Sequence, residues 1–285
     1  MASETMNPPL SDYRPCLFTK HHGAGNDFLV LLDLEDRSPV DARLARALCD
    51  RRFGVGADGV IRVLDGGGRA DLAMELHNAD GSVAEMSGNG MRCLAQASVM
   101  ADLVQPPRFT VWTLGGLRTV EYHLGAVAGA ATASVDMGVA TLGPDQPQPF
   151  PERMARRVDV GNPHLVLLGP DPAGVDVAEV GTKLQEVHPG GINVEFISVG
   201  PEADSVTLRV WERGVGETRA CGTGSVAAAA AAHSWGLVGT SVDVHNPGGT
   251  LRVELGAHGA FLSGPVHKVA DVEVVPALLL DAARS

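Results

Sequence analysis

The chain has 285 residues, enough for one large domain or two ordinary ones, and 45% of them are hydrophobic, enough to bury a sizeable core. The formal net charge is −12 and no basic run could follow a phosphate backbone, which argues against nucleic acid as the principal partner. The four cysteines form no C-x-x-C pair and no disulfide framework, and no stretch approaches the roughly 18 consecutive apolar residues of a membrane span.

In chain order, MASETMNPPLSDYRP is polar and Pro-rich and lacks an apolar h-region, so a frayed end and not a signal peptide is expected. AGNDFLVLL, 24–32, reads as a turn feeding an apolar strand. PVDARLARALCDRR, 39–52, reads as an amphipathic helix with Val40, Leu44, Ala47 and Leu48 on one face. The Gly-rich RFGVGADGVI, 52–61, lacks the G-x-x-x-x-G-K of a phosphate loop, and GAGNDF lacks the third glycine of a dinucleotide fingerprint. SGNGMRCLAQASVMADL, 87–103, predicts a helix that starts at its G-x-G and is small or apolar almost all round. RFTVWTL, RTVEYHL and ATASVDM then alternate as strands do.

The same grammar returns further on. VGNPHLVLL, 160–168, feeds a second apolar strand, SVTLRVWE, SVDVHN and TLRVEL alternate, NPGGT reads as a hairpin turn, and CGTGSVAAAAAAHSWGL, 221–237, predicts a second nearly all-apolar helix. SGNG and CGTG lie 134 residues apart, AGNDFLVLL and VGNPHLVLL 136, and RFGVGADGVI and VHPGGINVEFI about 135. Three matches in one order and at nearly one spacing predict two homologous halves. The fold class expected is α+β: two pseudo-symmetric domains, each a curled mixed or antiparallel sheet around a central helix. The first domain spans 15–136 and the second 137–263, with the strand-like tail 264–280 rejoining the first.

Each central helix begins at a G-x-G. A helix N-terminus offers unpaired N–H groups and partial positive charge, and glycine lets a ligand approach the backbone, so two anion-holding mouths are expected. Ser87 stands at one lip and Cys221 at the other. Ser87 also suits a plain N-cap. Cys221 is the expected reactive thiol, its acidity raised by the helix terminus; Cys16, Cys49 and Cys93 lack that setting and read as structural. Asn26 and Asn162 follow glycines at matching places, and Asn78, Asn193, His164, Glu212 and Arg213 fall near the two motifs. No H-x-E or H-E-x-x-H spacing suggests a metal. The residues by themselves point to a cofactor-independent thiol enzyme with a small-anion cleft between two similar halves.

HHGAGNDF, NADGSVAEMSGNG, VGNPH, VWERGVGETRACGTG and HNPGGTLRV, in that order over about residues 18–265, resemble the diaminopimelate epimerase family. The resemblance implies an isomerase without cofactor, a cytoplasmic homodimer, and interconversion of LL- and meso-diaminopimelate on the route to lysine and peptidoglycan. It makes Cys221 one catalytic thiol and puts Ser87 where a second cysteine normally stands. It implies that Asn26, Gly88, Asn89, Gly222 and Thr223 hold the reacting amino-acid end, that Asn78, Asn162, Asn193 and Arg213 hold the distal end, and that His164 and Glu212 tune the two bases. The serine leaves other readings open: an epimerase or racemase of another amino acid, a one-thiol dehydratase, or a binding protein that kept the pocket.

Overall fold

The computed structural model describes residues 16–145, 154–275 and 278; the N-terminal segment through residue 15 and the end of the expected tail at 276–277 and 279–280 lie outside them. The first part of the chain runs β1 (Cys16–Gly23), β2 (Asn26–Leu32), α1 (Ala42–Cys49), β3 (Gly59–Asp65), β4 (Leu72–Asn78), α2 (Gly88–Met100), β5 (Arg108–Thr113), β6 (Gly116–Leu124) and β7 (Ala130–Gly138). The second runs β8 (Thr141–Asp145), β9 (Met154–Asp159), β10 (Pro163–Leu168), α3 (Val177–Glu186), β11 (Asn193–Val199), β12 (Ser205–Glu212), β13 (Gly216–Thr218), α4 (Gly222–Ser234), β14 (Ser241–Asn246), β15 (Gly249–Gly256) and β16 (Gly259–Val274).

Pairing repeats with the sequence. β2 and β3 run parallel with α1 between them, as β10 and β11 do with α3. β4 and β5 run parallel across α2, as β12 and β14 do across α4. Parallel neighbours need a crossover, and the helices supply it. The N-terminal half closes on itself: β1 to β7 form a continuous ladder, β7 pairs with Ala260–His267 of β16, and β1 pairs with His267–Val274 of the same strand. Closure removes the sheet edges and encloses α2. The first residues of β16, Gly259–Ser263, also pair with β15, so one strand joins the two halves.

Both central helices are buried along most of their length, α2 from Gly88 to Ser98 and α4 from Gly222 to Ala232. The alanines 227–232 let the surrounding strands approach α4 closely, and a single core cluster containing Leu94, Val226 and Leu262 runs through both halves. The helix expected over 39–52 is shorter. Asp41 caps it by accepting from Arg43 and Leu44 N–H, and Asp50 ends it by accepting from Arg52 and Phe53 N–H. Its buried stripe is Ala45, Leu48 and Cys49, with Leu44 and Ala47 only half-buried. α3 carried no clear pattern in the sequence; it covers a smaller cluster around Leu184, Val194 and Phe196.

Candidate active site

Ser87 and Cys221 occupy the same backbone position, with φ −138° and ψ 125° for Ser87 and φ −120° and ψ 120° for Cys221. Each is the N-cap of its helix. Ser87 Oγ accepts from Gly90 N–H at 3.1 Å and Cys221 Sγ from Gly224 N–H at 3.3 Å. Ser87 is therefore a cap and also lines the cavity. The two helix starts nearly touch: a Cβ added at Gly222 would lie 3.1 Å from Gly88 Cα, and one at Gly88 would lie 2.7 Å from Leu262 Cδ2. Glycine at both positions is what allows the mouths to face one another across a cavity of about 380 Å³.

Of the residues singled out in the sequence, Asn26, Asn78, Ser87, Gly88, Asn89, Asn162, Asn193, Glu212, Arg213, Cys221, Gly222 and Thr223 all line that cavity. His164 does not; it is fully buried behind the wall. Asn26 donates to Asp58 Oδ2 at 2.7 Å and accepts from Asn89 Nδ2 at 3.0 Å. Asn89 Nδ2 also reaches Ala220 O at 3.0 Å, tying the α2 mouth to the residue before Cys221. Also in the lining, Asn193 Oδ1 accepts from Arg213 N–H at 2.9 Å, and Asn78 Nδ2 donates to Ser82 Oγ at 3.0 Å. The Arg213 guanidinium reaches Gly190 O at 3.3 Å and, among the described residues, pairs with no carboxylate, so it is free to receive one.

The chemistry gathers on one side. Cys221 Sγ lies 3.5 Å from Thr223 Oγ1, which accepts from Asn162 Nδ2 at 3.4 Å; Asn162 Oδ1 in turn lies 2.8 Å from His164 Nε2. His164 Nδ1 is 2.7 Å from Glu195 Oε1, and both side chains are fully buried. Glu212 accepts from Thr218 Oγ1 and meets the Cys221 thiol. Burial pushes the Glu212 carboxyl above its ordinary range, more than those two hydrogen bonds lower it.

The acidity expected of Cys221 is corrected by this setting. Burial first, then the Glu212 and Glu195 carboxylates, push its thiol well above the usual value, outweighing the hydrogen bonds from Thr223 and Gly224 that lower it. A helix mouth favours thiolate only where the thiol is partly solvated and its other neighbours are not anionic. Cys93 and Cys49 are pushed up to about 12 by burial, in keeping with structural roles. Among the described residues no group of three or more His, Cys, Asp or Glu is placed to hold a metal.

A family model described as diaminopimelate epimerase matches residues 18–143 and 156–269. The chain belongs to the diaminopimelate epimerase family. It is 39% identical over 271 residues to the diaminopimelate epimerase of Corynebacterium glutamicum strain R, covering 90% of this chain and 97% of that protein. It is 40% identical over 283 residues to that of Mycobacterium sp. strain KMS, covering 90% and 96%. The same fold occurs in a Bacillus anthracis phenazine biosynthesis protein of the PhzF family, at TM-score 0.72 and 14% identity over 92% of this chain and 99% of that one. The α+β architecture of two similar halves is that of these proteins.

Sequence reasoning missed three residues beside the epimerase site. Asp58 lines the cavity and orients Asn26. Glu195 sits in the apolar strand INVEFISV, and Arg92 in the otherwise uncharged run MRCLAQASVM. A single charge inside an apolar element was the available clue to both. By sequence offset and strand register the two halves are asymmetric behind their helix mouths. Glu195 and His164 correspond to Ile61 and Phe28 behind Ser87, whereas Arg92 corresponds to Val226 behind Cys221.

Proposed function

We propose that this protein interconverts LL- and meso-diaminopimelate by removing and returning the α-proton, using its own side chains and no cofactor. One observation carries the reading: two helix mouths open onto one cavity, with a thiol at one lip and a hydroxyl at the other. Inverting a carbon needs a base on one face and an acid on the other. The α-carboxylate sits at the mouths of α2 and α4, between Asn26, Asn89 and Thr223, where unpaired N–H groups stabilise the charge that spreads onto it as the α-proton leaves. The distal amino-acid end lies among Asn78, Asn162, Asn193 and Arg213, whose guanidinium takes the second carboxylate in bidentate fashion.

Cys221 and Glu212 act as a pair. Burial raises the proton affinity of both groups and they are in contact, so the Glu212 carboxylate takes up the thiol proton as sulfur takes the α-proton. On the opposite face the Ser87 hydroxyl delivers a proton directly or through water, and the alkoxide left behind is hard to sustain near neutral pH. His164 and Glu195 stand behind Cys221 and tune that side. The site supports inversion with one fast face and one slow face.

The proposal extends to a homodimer, which the family resemblance implies, to the cytoplasm, which the cysteine usage supports, and to two units, 15–136 with 264–280 and 137–263, which the repeated strand order supports. Among the described residues no helix is long and apolar enough to cross a membrane. The deciding experiment is proton NMR of LL- and meso-diaminopimelate with the protein in deuterated water. Interconversion or α-proton exchange of either isomer supports the activity; neither, with correctly folded protein, refutes it.

A further inference from the structure

Arg92 lies on the first turns of α2 with its side chain entirely buried. Its guanidinium donates to Asn89 Oδ1 at 2.6 Å, Gly88 O at 3.3 Å and Pro265 O at 3.4 Å, all neutral acceptors. Among the described residues no carboxylate pairs with it, and its titratable neighbour, Cys93, is held neutral by burial. The fold makes room for the group. A Cβ on Gly23 would come within 2.8 Å of Arg92 Nη2, and one on Gly264 within 3.3 Å of Cζ. A buried charge without a counter-ion is costly, and a hydrophobic residue of similar volume is commonly as stable or more so. Val226 holds the equivalent place in α4. Packing the core therefore gives no reason for an arginine here.

We propose that Arg92 is the fixed cation of the site, a positioning residue that holds Asn89 in register and gives the α2 mouth a standing positive charge whose counter-ion is the bound carboxylate. By donating to Asn89 Oδ1 it fixes which way that amide faces, so Asn89 Nδ2 must point to Asn26 Oδ1 and Ala220 O. Its charge adds to the helix N-terminus on the Ser87 side. Burial in low dielectric strengthens that field in the dry part of the site. The halves are thus oppositely charged, with a cation behind Ser87 and carboxylates behind Cys221. The carboxylate is drawn to the α2 mouth while the α-carbon is left beside the thiol.

The inference rests on reading the mouths as a carboxylate site, and its test uses no diaminopimelate, so failure of the substrate assignment leaves it standing. The readout is the ratio of Cys221 carboxymethylation by iodoacetate to its modification by neutral iodoacetamide, followed by peptide mass spectrometry. Both reagents meet the same thiol, so the ratio cancels thiol acidity and reports the field that an entering carboxylate feels. Arg92→Met should lower the ratio by about fivefold or more while the thermal midpoint holds or rises, and Arg92→Lys should keep it within about twofold at neutral pH. An unchanged ratio in folded Arg92→Met overturns the proposal and leaves Arg92 structural. Should Arg92→Met not fold, the lysine variant decides. Its ratio should fall relative to wild type as pH rises through about 8 to 10 and the lysine loses its proton, whereas a ratio that tracks wild type throughout overturns the proposal.

Discussion

Replacing Ser87 by cysteine changes one atom at the lip of α2, and the structure allows its effect to be divided between stability and chemistry. Cys221 Sγ already accepts the cap hydrogen bond of α4 in the same backbone geometry, so sulfur can keep the bond from Gly90 N–H and the cap should lose less than about 1 kcal/mol. Behind residue 87 stand Ile61 and Phe28, not the Glu195 and His164 that back Cys221. Asn78 takes the place of Glu212 by register, so the new thiol would lack counterparts of both carboxylates that raise Cys221 and should ionise more readily than Cys221 does. A positioned acid–base group contributes on the order of 10²–10⁴ in rate, or about 2.7–5.5 kcal/mol of barrier. In deuterated water the unaltered protein should exchange the α-proton of one stereoisomer faster than it epimerises it. Ser87→Cys should narrow that gap by bringing epimerisation up toward exchange, with reductant present to keep the facing thiols apart. The reasoning fails if Ser87→Cys alters neither rate and Ser87→Ala is equally harmless, for Ser87 would then be a helix cap and nothing more.

Glu212→Gln removes one of the two carboxylates that hold the Cys221 proton, so alkylation of Cys221 by iodoacetamide at pH 8 should quicken by about an order of magnitude while epimerisation falls; slower alkylation would remove Glu212 from the account of the thiol. Arg213→Ala should cost about 2–5 kcal/mol in kcat/KM for diaminopimelate and far less for a monoamino acid of similar length, whereas an equal loss for both would make Arg213 structural. The raised Cys93 thiol gives a pH dependence whose sign is fixed. Below the unfolded value both states keep the proton and stability is full; above it the unfolded chain loses a proton that the folded protein retains up to about pH 12, so stability declines. Cys93→Ala should therefore make the alkaline limb of denaturant-measured stability shallower by up to about 1.4 kcal/mol per pH unit, and an unchanged slope would place Cys93 outside that limb.

Much of this was legible in the chain because it is local. The offsets near 135 residues survive as matching strands and crossovers, and apolar alternation marked β5, β6, β7, β12, β14 and β15 directly. A G-x-G before an almost wholly apolar run identified both central helices and their mouths, since capping and burial pattern need no distant partner. The motif order also named the family to which the chain belongs. The ends of α1 were less legible, because two aspartates set them by side-chain hydrogen bonds.

What only the tertiary structure decided is charge. The sequence fixes that Cys221 heads a helix, and from that alone its thiol is expected to be acidic. Glu195 reaches it from β11, 26 residues earlier, and Glu212 from the end of β12, and together with burial they reverse the direction. The sequence likewise presents Arg92 as one basic residue in an apolar helix; that it is buried without a carboxylate, in space that Gly23 and Gly264 leave open, follows from strands 69 and 172 residues away along the chain. Periodicity and capping are written in neighbours three or four residues apart. The energy of a buried charge depends on everything within a few ångströms, and only the closed fold determines what that is.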